Sequence, residues 1–199
     1  LLENVRKNAL PKGFKGKLNV RAVGPPPEEG VAKVRCDCDT AEKAIHTLKQ
    51  AILENADTIV FTNLGIIPAN WTNGITGENE IGNKIKIVAP QLNSIGARAF
   101  AEALFLTSLE TKSLERIGTE AFEGCTNLKS HTQSGNYSLR TIGFGAYEGC
   151  TSLKTLTLYS HSALSIEKNA TKGCNVKMTV VKKAGKTKKI KKKNFIYKK

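Results

Sequence analysis

The sequence predicts an α/β solenoid: a short stack of coils with a parallel sheet on one face, preceded by an N-terminal strand–helix–strand cap. Two observations carry this expectation. An Ile and an Ala four residues further on recur together at Ile95/Ala99, Ile117/Ala121, Ile142/Ala146 and Ile166/Ala170, both keeping the irregular spacings 22, 25 and 24. The block Glu123-Gly-Cys125-Thr-Asn-Leu128-Lys129 returns as Glu148-Gly-Cys150-Thr-Ser-Leu153-Lys154. Units this small cannot bury an apolar side alone, so they must stack into a continuous core.

The elements follow in order. Residues 1–30 form an extended arm ending in Gly24-Pro-Pro-Pro-Glu-Glu-Gly30, where three prolines hold the backbone extended. Residues 31–62 read as the cap: a strand at Val31–Arg35, a helix, then the first solenoid strand at Thr58–Phe61. Asp39 with Glu42 is a helix-start signature. Ala41, Ala44, Ile45, Leu48, Ala51 and Ile52 give the helix an apolar face, and Asn55-Ala-Asp57 ends it. Residues 63–181 hold about five coils, the first degenerate: Ile66 to Trp71 aligns 29 residues before Ile95 to Phe100, with an insertion at Thr72–Asn83. In the best coil Leu153, Leu156 and Leu158 point inward, followed by Leu164 and Ile166, and an Ala-aromatic pair fills the return. Val176, Met178 and Val180 alternate and close the array. Residues 182–199 are Lys-rich and expected to be a solvated, disordered tail.

The pattern Cys-x-x-Leu-x-x-apolar, then Leu-x-x-Ile-Gly-x-x-Ala-Phe-x-x-Cys, resembles the BspA-like leucine-rich repeats, treponemal subtype, over roughly residues 84–180. The resemblance implies a leucine-rich repeat stack and a non-catalytic protein that binds other proteins. It also implies a surface or secreted adhesin, directed at a host or neighbouring-cell protein or at another copy of itself. No cofactor or metal is implied. Leu1–Lys15 lacks the continuous apolar stretch of a secretory leader, so the compartment rests on the resemblance.

Charge is unevenly placed. The chain has 199 residues and a net charge of +14, yet Lys177–Lys199 carries 11 Lys and no acid. The rest is nearly neutral. A second function class follows: binding of a polyanion (nucleic acid, glycan or anionic lipid) by Lys182, Lys183, Lys186, Lys188, Lys189, Lys191, Lys192 and Lys193. No apolar run approaches the roughly 20 residues that a membrane-spanning helix needs.

Alternation places Ser130, Thr132, Ser134, Thr155, Thr157 and Tyr159 on the outward side of the sheet, a row of small hydroxyls with an aromatic neighbour suited to protein recognition. It also places His131 opposite Leu156 and Gln133 opposite Leu158, polar residues where the next coil buries leucines. A register slip, a wet edge or a cavity would each accommodate them, the last admitting a small apolar ligand. Cys125, Cys150 and Cys174 recur at one place in the repeat and read as small buried side chains; Cys36 and Cys38, on one strand face, also read as core packing. Phosphate-loop, dinucleotide, zinc-protease and nucleophile-elbow motifs are missing, and His46, His131 and His161 fall in different units, so an enzyme is the least supported class. Of the sequons Asn70-Trp-Thr72, Asn136-Tyr-Ser138 and Asn169-Ala-Thr171, the first and last fall in repeat turns, where the turn itself explains an Asn.

Overall fold

The computed structural model describes residues 33–75, 84–182 and 187–190. The N-terminal arm, most of the Thr72–Asn83 insertion and residues 191–199 lie outside the described residues. The described residues begin with β1 (Lys33–Cys36), α1 (Ala41–Leu53) and β2 (Thr58–Phe61), in strand–helix–strand order. Coils then follow, each with a main strand and a return strand. These are β3 (Ile66–Ile67), β4 (Ile85–Ala89), β5 (Ser94–Ile95), β6 (Leu106–Thr111), β7 (Arg116–Ile117), β8 (Ser130–Gln133) and β9 (Leu139–Ile142). The long β10 (Thr155–Ile166), then β11 (Lys177–Lys182) and β12 (Thr187–Ile190), complete the array.

The α/β expectation needs correcting. Among the described residues α1 is the helix, and the coils return through strands, which makes the fold a parallel β-solenoid. The strand order is β1-β2-β4-β6-β8-β10-β9-β7-β5-β3: the main strands form one parallel ladder, the return strands a second, and β10 is long enough to belong to both. Two residues at each Ile step suffice for a rung, so no helix is needed to span the return.

Helix α1 buries Ala44, Leu48 and Ala51, the stripe its 3.6-residue period dictates. Its N-cap is Thr40 rather than Asp39: the Thr40 hydroxyl accepts the Lys43 N–H, while Asp39 pairs with Lys43 one turn along at 2.7 Å. Trp71 Nε1 donates to the Ala41 carbonyl at 2.9 Å, tying the start of the helix to the first coil.

Adjacent coils meet through backbone hydrogen bonds and a stacked aromatic column. Phe100 N–H reaches Ala121 O, Phe122 N–H reaches Ala146 O, and Tyr147 N–H reaches Ala170 O, each at 2.8 Å. The rings of Phe100, Phe122 and Tyr147 stack nearly parallel, with centroids 5.3 and 5.0 Å apart. Such pairs add roughly 0.5–1.5 kcal/mol each beyond their buried area. The residue opening each return turn, Asn70, Arg98, Glu120, Gly145 and Asn169, is left-handed, with φ between 52° and 59°. Asn tolerates that conformation best among non-glycine residues, which accounts for two of the three sequon asparagines.

The thiols of the repeat cysteines form a second ladder. Cys125, Cys150 and Cys174 are buried, as their repeat position suggests, and each Sγ reaches a carbonyl of the preceding coil: Phe100 O at 2.8 Å, Phe122 O at 3.0 Å and Tyr147 O at 2.8 Å. Cys38 is buried in the core and Cys36 packs against it, in line with the packing expectation.

The degenerate first coil is offset by one residue from the sequence alignment. Ile67, not Ile66, pairs with Ile95, so Ile67 is buried while Ile66 stands 59% exposed. Consequently Trp71 takes the Ala position and Thr72 the aromatic one. The Thr72 hydroxyl compensates by donating to Ala99 O at 3.1 Å, and the Trp71 ring still meets Phe100 edge-on at 5.5 Å. Two consecutive isoleucines gave the sequence no means of choosing between them.

The tail expectation also changes in part. Thr187–Ile190 pairs antiparallel with β11, placing Lys188 opposite Val180 and Lys189 opposite Thr179. Lys182 ends β11; Lys183, Lys186, Lys191, Lys192 and Lys193 lie outside the described residues.

The Gly of the Ile-Gly pair is set by close approach. A Cβ at Gly118 would stand 2.6 Å from Ala97 N and from the Gly96 carbonyl carbon, both backbone of the preceding coil. Gly118→Ala is expected to cost about 1–3 kcal/mol, since the coils must part to admit the methyl group. Gly65→Ala, whose Cβ would meet nothing nearer than 3.8 Å, is the control, expected to stay within about 0.5 kcal/mol. Urea midpoints of the two variants check this.

Candidate functional site

The parallel ladder brings the outward side chains of successive main strands into rows. Thr58, Lys86, Ser108, Ser130 and Thr155 are register partners in one row; Val60, Val88, Glu110, Thr132 and Thr157 form the next. All six residues singled out by alternation therefore lie together. Ser130 and Thr132 lie on β8, with Ser134 just past its end, while Thr155, Thr157 and Tyr159 lie on the adjoining β10. Each is exposed or half-buried, while the intervening residues are buried. Tyr159 packs edge-on against Tyr137, with centroids 5.3 Å apart, so an aromatic pair ends the hydroxyl rows.

The face extends further than alternation revealed. Ser108 and Glu110 on β6, and Lys86 and Val88 on β4, continue the same rows, and Lys86 Nζ meets Glu110 Oε1 at 2.5 Å. The signal was hidden because β6 lacks clean alternation: its pairing with β4 shifts between Ile85 and Lys86, leaving Thr107 as an extra residue. The Thr107 hydroxyl donates to Ile85 O at 3.0 Å, which holds the irregularity in place. Leu106 and Leu109 are both buried as a result, although three positions apart.

Beneath this face the register does not slip. His131 is the partner of Leu109 and of Leu156, and Gln133 that of Thr111, so both polar side chains enter the core row. Gln133 is satisfied there, and His131 is satisfied at Nδ1. His131 Nδ1 and Tyr147 Oη are hydrogen-bonded across 2.7 Å, and Phe122 lies 5.5 Å from the imidazole, edge-on. Tyr147 stands where the two preceding coils carry Phe, so the hydroxyl and the imidazole form a matched pair. Gln133 Nε2 lies within hydrogen-bonding reach of Leu114 O, Asn136 O and Ser138 Oγ, and Gln133 Oε1 accepts the Tyr159 N–H at 3.4 Å. Gln133 thus braces the backbone that carries Tyr159. Among the described residues Thr111 Oγ1, His131 Nε2 and Ser160 Oγ have no hydrogen-bond partner.

Burial governs the titration of this core. Desolvation lowers the His131 pKa to about 3 and pushes the Tyr147 phenol well above its ordinary value. The Cys150 thiol is also held well above its usual value, first by its hydrogen bond with Cys125. None of these groups is poised for acid–base work near neutral pH. Exposed charges are paired instead across the return turns, where Arg98 Nη1 contacts Glu120 and Glu123, and Lys172 Nζ meets Glu148 at 2.6 Å. His46 is exposed on α1, and among the described residues no three His, Cys, Asp or Glu side chains cluster as a metal site. No described helix is long and apolar enough to cross a membrane.

Stacked coils with a repeated Ile-Gly step, an Ala-aromatic return and a parallel sheet face define a repeat solenoid of the kind that serves as a protein-interaction scaffold. The family model described as the BspA type leucine rich repeat region matches residues 80–199 in 6 copies, and the chain belongs to that family. No curated protein and no solved structure matches the chain.

The buried imidazole gives the fold an acid-sensitive element. His131 is neutral when folded and ordinary when unfolded, so between about pH 6.5 and about pH 3 the unfolded chain binds the additional proton. Its contribution to stability is intact above pH 6.5 and declines as pH falls, by at most about 1.4 kcal/mol per unit. Urea midpoints from pH 7 to pH 4 should fall more steeply for the wild type than for His131→Leu/Tyr147→Phe, which restores the apolar pair of the neighbouring coils.

Proposed function

We propose that this chain is a non-catalytic adhesion scaffold of the treponemal repeat subtype, at the cell surface or secreted, with β1–α1–β2 as the cap of its stack. Its sheet face takes a protein partner through Ser130, Thr132, Ser134, Thr155, Thr157 and Tyr159. The observation that supports this reading most is the pair of in-register hydroxyl rows ended by the Tyr137–Tyr159 aromatic pair. Small hydroxyls adapt their hydrogen bonds to a partner's backbone, and tyrosines supply large contact area with few rotamers to freeze. Membership of a repeat family that serves protein interaction points the same way.

The test is retention of proteins extracted from cell surfaces by the immobilised full chain. Thr155→Glu/Thr157→Glu/Tyr159→Glu should lower the apparent affinity at least about tenfold, the equivalent of about 1.4 kcal/mol, while circular dichroism stays unchanged. Undiminished retention by a folded triple variant sinks the sheet-face reading. Sedimentation of the full chain alone separates adhesion from self-assembly, since a copy-to-copy contact makes its mass concentration-dependent.

A further inference from the structure

We propose that the C-terminal end of the stack is a docking edge for an acidic segment of a partner protein. The backbone ladder supplies the first observation. In the return turns each coil lends three amides to the next: those of Gly145, Tyr147 and Gly149 donate to the carbonyls of Lys168, Ala170 and Lys172 at 3.1, 2.8 and 2.9 Å. The equivalent amides 24 residues on, those of Asn169, Thr171 and Gly173, have no hydrogen-bond partner among the described residues. Asn169 and Gly173 are exposed and Thr171 is half-buried, so a guest can reach the row. Unpaired N–H groups in a row at the edge of a ladder are a template for another chain's carbonyls.

Charge selects the guest. From Lys168 to the end of the sequence the chain carries 13 Lys and no Asp or Glu. The carboxylates on this side of the molecule are already engaged: Glu148 pairs with Lys172 Nζ at 2.6 Å, and Glu167 accepts the Phe144 N–H at 3.0 Å. The end is polar as well as basic, because Thr171 stands where Phe122 and Tyr147 stand in the two coils before it. The stacked rings therefore offer a guest no apolar pocket here, and backbone hydrogen bonds and opposite charge are what hold it.

The inner turns also give the guest its shape. The first two accepting carbonyls of a turn flank a left-handed residue, Gly145 at φ 56° between Phe144 O and Ala146 O, and Asn169 at φ 59° between Lys168 O and Ala170 O. A segment that follows the turn needs Gly or Asn at that place, with Asp and Glu around it. A second copy of the chain presents no bare turn at its other end, since α1 packs on the first coil there, with Trp71 Nε1 donating to Ala41 O at 2.9 Å. The edge is separate from the hydroxyl rows of β8 and β10, and it stands or falls independently of them.

The test is amide hydrogen exchange of the full chain by NMR, alone and with an end-blocked peptide rich in Asp and Glu around a central Asn-Gly. In the free, dilute chain the Asn169, Thr171 and Gly173 amides should exchange rapidly while those of Phe122 and Tyr147 stay protected. Saturating peptide should slow the three by at least about tenfold. The same peptide with Asn and Gln in place of the acids should bind at least about tenfold more weakly, and added salt should weaken the acidic one. Thr171→Pro, which removes the central N–H, should lower peptide affinity with circular dichroism unchanged. The wild-type exchange result stands even where that variant fails to fold. Protection already present in the dilute free chain puts one of its own segments on the row, and protection that grows with protein concentration puts a second copy there; either overturns the proposal. It is overturned as well if the peptide does not bind, if it binds and leaves the three amides unprotected, or if a heparin fragment protects them equally.

Discussion

Each coil of this solenoid leaves its backbone unsatisfied, and the next coil completes it. From β2 to β10 the main strands pair with strands of neighbouring coils, and the return turns send their N–H groups to carbonyls one coil further on, as Phe100 does to Ala121 and Phe122 to Ala146. Buried amides without partners are costly, so the stack cannot be partly formed around its middle. Every other regularity serves that contact. The Gly of the Ile-Gly step lets two backbones approach closer than any side chain allows, left-handed residues turn the chain back on itself, and the Ala-aromatic pair fills the space between coils.

The same constraint explains how the solenoid tolerates irregularity. A side chain may be polar if its hydrogen bonds are supplied within the coil or by its neighbour. His131 is answered by Tyr147 one turn later in the same coil, and Gln133 by Leu114, Asn136 and Ser138. Thr72 occupies an aromatic's place by bonding to Ala99, and Thr107 absorbs an extra residue by bonding to Ile85. In each case the backbone ladder is preserved and the side chain adapts to it. The face above inherits this rigidity, because the strands that present its hydroxyl rows are fixed by the core beneath them.

Alternation placed Ser130, Thr132, Thr155 and Thr157 outside and the repeat cysteines inside, and the structure has them there. It missed the continuation of the face at Ser108 and Glu110, since a one-residue shift in pairing erases the period of 2 on which alternation depends. It also misplaced the first coil by one residue at Ile66–Ile67, where both candidates are the same amino acid. The cysteine pair was legible as two small side chains for the core, and the structure has Cys38 buried there with Cys36 packed against it.

The sequence by itself determined the repeat, its period and the residues that face the core, because those follow from composition recurring at fixed intervals along one chain. Tertiary structure alone decided whether the returns run as helices or strands, which isoleucine enters the core, and how two polar side chains are satisfied among leucines. The isoleucine is chosen by pairing between residues 28 positions apart, and His131 and Gln133 find partners up to 19 positions away, where tertiary contacts outweigh local propensity. Local pattern specifies what each coil can bury, and the folded coil with its neighbours specifies where its polar atoms go.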